Sequence, residues 1–152
     1  AAGLTIAVWI HSVVVDGGAL LAAAGLSVEL RRNGTLRAEL RAERSNSSIV
    51  LMSDDGCGGS TLEWWSTDAR HVAITLDAAA TVASLVIDGH MCDGGQVRSY
   101  GWANFSPDFG ALRCSEKPWQ ASPSVRRLRV FGRALLTSEA IGIWRAGAIM
   151  DV

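Results

Sequence analysis

Apolar and polar residues alternate along much of this chain with a period of two, the spacing that places successive side chains on opposite faces of a β-strand. In Leu26 to Arg31, Val28 and Leu30 alternate with Ser27, Glu29 and Arg31; in the next segment Leu36, Ala38 and Leu40 alternate with Arg37, Glu39 and Arg41. The Asn33-Gly34 pair between them is a type I′ turn signal, so the two segments predict a hairpin. Leu4 to His11 differs, because Leu4, Ile6, Val8 and Ile10 interleave with Thr5, Ala7 and Trp9 and leave both faces apolar. Such a strand belongs in the middle of a sheet covered on both sides. Ala19 to Ala24, Ile49 to Met52, His71 to Asp77 and Val82 to Ile87 predict further strands, the last two forming a hairpin closed by Asp88-Gly89.

The run from Val125 to Gly147 combines a strand with a helix. Leu128 and Val130 alternate with Arg127, Arg129 and Phe131, which predicts a half-buried strand with Leu128 and Val130 toward the core and Arg127 and Arg129 outward. Gly132 stops it. Thr137 or Ser138 then suits the capping position of a short amphipathic helix through Glu139, Ala140, Ile141, Ile143 and Trp144, with Gly147 as its C′ residue. This helix is expected to plug one edge of the fold. Between His90 and Ser124 the periodicity fails over about 35 residues, and loops of that length in compact domains are functional or contain further elements.

The chain has 152 residues, of which 49% are hydrophobic and 19% charged, enough for one packed domain spanning residues 1–152. A net charge of -1 argues against a nucleic-acid partner, which requires a concentrated basic surface. Of the 14 basic side chains only Lys117 is lysine; the arginines alternate along predicted strands and read as solvated sheet faces. No apolar stretch approaches the roughly 20 residues that span a bilayer, so no membrane insertion is expected. The start at Ala1, without Met and almost directly in a strand, suggests a processed chain or a segment of a larger protein.

Asn33, Asn46 and Asn104 are the three Asn residues of the chain, and all stand in the glycosylation pattern: Asn33-Gly34-Thr35, Asn46-Ser47-Ser48 and Asn104-Phe105-Ser106. This points to the secretory route and an extracellular or cell-surface location. Cys57, Cys92 and Cys114 lie in Gly/Ser/Asp-rich stretches, as extracellular disulfides do. Cys92 with Cys114 is favoured because the pair brackets a long loop. Cys57 with Cys92 remains open, and the third thiol could reach another subunit.

Four pieces in order carry a resemblance over nearly the whole chain: Leu4-Thr5-Ile6-Ala7-Val8-Trp9-Ile10; Trp65 followed by His71-Val72-Ala73-Ile74-Thr75; Leu85-Val86-Ile87-Asp88-Gly89; and Leu128 to Leu135 with Glu139. Together they resemble the laminin-G-like, concanavalin A-like lectin/glucanase superfamily. The resemblance implies an all-β domain, a two-sheet antiparallel jelly-roll β-sandwich with one short C-terminal helix. It implies an extracellular module whose partners are glycans or other extracellular proteins, often with calcium at one rim. Two departures stand out: almost nothing precedes Leu4 where the family has an opening strand, and the loop from Cys92 through Trp102 is enlarged.

Glucanases of this superfamily carry a Glu-x-Asp-x-Glu strand, which is absent here; Glu39 and Glu43 form the nearest carboxylate pair and read as a solvated strand face. His11, His71 and His90 show no nucleophile–base spacing, so an enzyme is not expected. Sugar binding needs aromatic faces and a few orienting polar groups, which singles out Tyr100, Trp102 and Trp119 with Asp93, while Trp9, Trp64 and Trp144 read as core. Calcium needs several hard oxygens, and Asp54, Asp55 and Asp93 could supply them, with Asp88 in support. The leading expectation is a noncatalytic, extracellular carbohydrate-binding or adhesion module. The alternative is a structural module of an extracellular filament, sheath or coat, assembling with other subunits. Third comes a glycoside-active enzyme on the same fold.

Overall fold

A computed structural model describes residues 3–11, 18–23, 25–41, 48–53, 61–77, 81–92, 102–104 and 119–149; for 102–104, 148 and 149 it describes the backbone alone. Eleven strands and two helices lie among them. One antiparallel sheet holds β1 (Gly3–Ile10), β6 (Arg70–Asp77), β7 (Val82–Ile87), β8 (His90–Met91), β9 (Trp102–Asn104) and β11 (Val125–Phe131). Its order is β11-β1-β6-β7, and β8 and β9 share the outer edge of β7. The other holds β2 (Gly18–Ala23), β3 (Leu26–Leu30), β4 (Leu36–Arg41), β5 (Ser48–Met52) and β10 (Gln120–Ala121) in the order β10-β2-β3-β4-β5. The helices are α1 (Leu62–Thr67) and α2 (Thr137–Ile149). The fold is the expected two-sheet antiparallel jelly-roll sandwich.

The inward faces of the two sheets make the main core. Ile6, Val8 and Ile10 of β1 meet Val28 and Leu30 of β3, Leu36 and Leu40 of β4, and Leu85 and Ile87 of β7 in one apolar cluster. Complete burial of a Leu or Ile side chain contributes about 1.5–3 kcal/mol, so this layer dominates the stability. β1 is a central strand, as its doubly apolar pattern requires. Its other face, Ala7 and Trp9, is buried too, with Ala7 in a small second cluster with Ala73, Val86 and Ala140 against Phe131.

The Asn33-Gly34 connection is not a two-residue type I′ turn. Arg31 N–H donates to the Thr35 carbonyl and Gly34 N–H to the Arg31 carbonyl, with positive φ only at Gly34 (+93°). This is a three-residue loop, a type I turn followed by a left-handed glycine. Tertiary packing selects it: the Trp65 indole donates to the Gly34 carbonyl at 2.7 Å, and a Cβ at Gly34 would overlap the Thr61 backbone. The true type I′ turn is Asp88-Gly89, with φ of 50° and 76°.

α1 departs from the expected single helix. Thr61 caps it by accepting from Trp64 N–H, and its one fully buried side chain, Trp65, anchors it in the main core. Trp64 on its half-buried face lies under the Arg70 guanidinium, 3.7 Å from the ring centroid. Among the described residues of 90–124, the elements hidden by irregular periodicity are β8, β9 and β10, each of two or three residues.

β11 carries a bulge. Ala7 pairs with Arg129 and Trp9 with Arg126, so Arg127 and Leu128 together oppose Val8, and Arg127 adopts φ of +53°. The extra residue brings Val125 and Leu128 onto the core side despite their three-residue spacing. Val130 lies opposite Ile6 on that side but is 39% exposed, because β11 is an edge strand. The expectation that Val130 is core fails there.

α2 does not plug an edge. It lies on the outer face of the six-stranded sheet, where Ala140 packs with Ala7 and Ala73, and Trp144 covers the Gly89 turn. Thr137 is its first residue, and the cap comes from Glu139, whose carboxylate accepts the Leu136 N–H at 2.9 Å. Gly147 is inside the helix and not its C′ residue, for a side chain there would overlap the Trp9 ring. Among the described residues no helix is long and apolar enough to cross a membrane.

Candidate functional site

A cleft of about 500 Å³ opens between the outer face of the six-stranded sheet and α2. Its sheet side consists of Ala7 and Trp9 from β1, His71 from β6, and Arg127, Arg129 and Phe131 from β11. Its helix side consists of Glu139, Gly142, Ile143, Ala146 and Gly147, and the segment between contributes Arg133 and Leu135. The cleft exists because small residues face each other where a helix would otherwise fill the sheet surface. A Cβ at Gly142 would meet nothing within 4 Å.

The charges lining it are unequal. Arg133 grips Glu139 through both guanidinium nitrogens, at 2.9 and 2.6 Å. Those hydrogen bonds, with the Leu136 N–H, hold the Glu139 carboxyl down at about 2. Arg127 and Arg129 are exposed and have no ion-pair or hydrogen-bond partner among the described residues. Among the described lining residues, three guanidiniums against one carboxylate leave two positive charges in excess, on a chain whose net charge is -1.

At the back of the cleft lies His71, 1% exposed, with its ring 5.1 Å from that of Trp9. Burial, then the nearby Arg129 charge, push its pKa down to about 4, so it is neutral at pH 7. Its Nδ1 is buried without a hydrogen-bond partner among the described residues. An orphaned buried polar atom costs about 1–3 kcal/mol, and the residue that carries it lines the cleft. The arrangement suits an oxyanion with an apolar or ring-shaped body; among the described residues it offers no carboxylate free to act as acid or base.

Asp88 serves the turn instead of a metal. Its Oδ1 accepts from His71 N–H at 2.8 Å and its Oδ2 from Arg70 at 3.3 Å, while burial raises its pKa against these lowering contacts. Asp54, Asp55 and Asp93 lie outside the described residues, as do Tyr100, Cys114 and Asn46. Among the described residues no cluster of three or more His, Cys, Asp or Glu side chains is placed to hold a metal ion. The Trp102 backbone sits in β9 opposite Ser84, and Asn104 opposite Val82. Trp119, just before β10, is half-buried against the main core. Cys92 is fully buried and disulfide-bonded, its partner lying outside the described residues. Asn33 is exposed on its turn, its Oδ1 accepting from Thr35 N–H at 2.9 Å. Glu39 is bound by Arg37 and Arg41, each at 3.2 Å, and its pKa is lowered by these contacts, Arg41 first.

The sequence reading passed over Arg127, Arg129 and His71. The signal for them was faint: arginines on the strand preceding a helix, with Gly142, Ala146 and Gly147 lightening one helix face.

No protein-family model matches the chain, and no curated protein matches it. Solved structures do. The receptor binding domain of botulinum neurotoxin D is 14% identical over 99% of this chain and 38% of that one, with a TM-score of 0.60. The binding domain of botulinum neurotoxin DC in complex with rat synaptotagmin II is 16% identical over 95% and 36%, at 0.59. The Ruminococcus gnavus IT-sialidase CBM40 bound to alpha2,3 sialyllactose is 13% identical over 93% of this chain and 82% of that one, at 0.57. The chain thus spans little more than a third of the toxin domains it matches. At these identities the likeness is one of fold, and it identifies the chain as a jelly-roll β-sandwich shared with these domains.

Proposed function

We propose that this chain is a noncatalytic recognition module whose ligands are carbohydrates, acting outside the cell as one laminin-G-like domain of a larger glycoprotein. The observation that carries this reading is the cleft beside α2. It has the volume of a small-ligand site, and its one carboxylate, Glu139, is fully engaged by Arg133 and the helix end. Glycoside hydrolysis needs two carboxylates, one of them with a raised pKa, and the cleft offers neither among the described residues. A similar sandwich is found bound to alpha2,3 sialyllactose in the sialidase CBM40 and in complex with synaptotagmin II in the toxin binding domain, which supports recognition as its use. The buried disulfide at Cys92 and the exposed Asn33 fit a secreted, glycosylated chain; a calcium ion on Asp54, Asp55 and Asp93 belongs to the same reading.

A glycan array probed with the folded chain tests this. Binding to a defined subset of glycans is the expected result, and binding to none of them removes the carbohydrate reading. Trp102→Ala and Trp119→Ala proteins on the same array show whether the loop aromatics take part.

A further inference from the structure

We propose that the cleft between α2 and the six-stranded sheet is an oxyanion-binding site, in which Arg127 and Arg129 take the carboxylate of an acidic sugar and His71 Nδ1 supplies a hydrogen-bonding group behind it. The inference rests on the recognition-module reading and gives it a ligand class and a place. Two independent observations meet there. The first is the surplus of two guanidiniums: Glu139 already holds Arg133, and Arg127 and Arg129 have no acidic partner among the described residues. Planar guanidinium forks match oxyanions in geometry as well as charge. The second is the buried, unpartnered Nδ1 of His71, a residue that lines the same cavity.

The backbone positions these groups for the purpose. Period-two alternation puts Arg127 and Arg129 on the cleft side with the intervening Leu128 against the core, and the bulge in β11 turns Val125 away from their face to the core. Without the extra residue at Arg127, either Val125 or the arginines would change faces. Phe131, Leu135 and Ile143 complete an apolar wall, which suits the body of a sugar ring better than a bare ion. Carboxylate and phosphate share the chemistry of the charged end, so the two must be separated by experiment.

The test is titration of the intact chain with lactose, α2,3-sialyllactose, glucuronic acid and inorganic phosphate, followed by calorimetry and by the His71 imidazole signals in NMR. The expected result is that the two acidic sugars bind at least about tenfold more tightly than lactose and shift His71. Arg127→Gln and Arg129→Gln each weaken that binding about tenfold, with Arg→Lys recovering part of it, while Arg32→Gln, exposed on the β3–β4 turn and outside the cleft, leaves it unchanged. Unaltered near-ultraviolet circular dichroism shows that the variants are folded. Equal binding of lactose and sialyllactose overturns the oxyanion site and leaves the carbohydrate reading standing. So does acidic-sugar binding that survives both Arg→Gln changes. If phosphate alone binds and shifts His71, the oxyanion site stands without the sugar; if nothing binds and His71 is unmoved, the oxyanion site falls, and the glycan array alone decides the carbohydrate reading.

Discussion

The buried hydroxyl of Thr5 fastens Leu135 to the sheet: it accepts the Leu135 N–H at 2.9 Å while donating to the Arg133 carbonyl at the same distance. One side chain near the start of the chain thereby sets the path by which β11 hands over to α2. Thr5→Val keeps the shape and removes both bonds, leaving a buried N–H and C=O unpaired. The expected loss is about 2–4 kcal/mol in urea unfolding, with an unchanged m-value, and Thr5→Ser recovers most of it.

Gly34 and Gly142 make opposite predictions for the same substitution. At Gly34, φ is +93° and a Cβ would run into the Thr61 backbone, which cannot swing aside, so Gly34→Ala is expected to cost more than about 2 kcal/mol. At Gly142, inside α2, a Cβ meets open space, and Gly142→Ala is expected to add about 0.5–1 kcal/mol. That new methyl projects from the cleft wall, so the more stable protein should bind sugar less tightly. Thermal melts and sugar titrations on the same samples check both halves.

His71 makes the fold sensitive to mild acid. Its pKa is about 4 when folded against about 6.5 in the unfolded chain, so between those values the unfolded state holds the extra proton. Stability is complete above about pH 6.5 and falls as pH drops toward 4, by at most about 3 kcal/mol from this residue. His71→Gln should flatten the melting temperature between pH 7 and 5; a slope identical to the native one would show that other groups carry it.

Glu139→Gln should raise the affinity for acidic sugars. The substitution releases the Arg133 guanidinium, now locked at 2.6 and 2.9 Å, and removes the negative charge that faces the ligand. The amide oxygen of Gln can still accept the Leu136 N–H, so the start of α2 is kept. Calorimetric titration with sialyllactose reads the change, and weaker binding would contradict the placement of the ligand.

Most of the strands were legible because their burial follows a period of two. β1 announced its central position through two apolar faces, and β3, β4, β6 and β7 stand within a residue or two of their expected bounds. Elements held by distant contacts were not legible. α1 has six residues, too few to show a helical period, and depends on Trp65 reaching Gly34 across 31 positions. The bulge at Arg127 is fixed by pairing with β1, a register no local pattern reveals. The cleft escaped for a related reason: Arg127 and Arg129 look like a solvated face until it is known that α2 lies over that side of the sheet. Ala7 and Ala73 were a hint, since small residues on neighbouring central strands leave room for a helix.

The small second cluster beneath α2 also sets how firmly the cleft is closed. Ala7, Ala73, Val86 and Ala140 bury little area compared with the Leu- and Ile-rich layer between the sheets. α2 is therefore the part of the molecule that should lift away first. Its amide protons are expected to exchange with solvent by local opening, well ahead of those of β1 and β6, and an occupied cleft should slow them. The lability of a thinly packed helix would then set how quickly a ligand comes and goes.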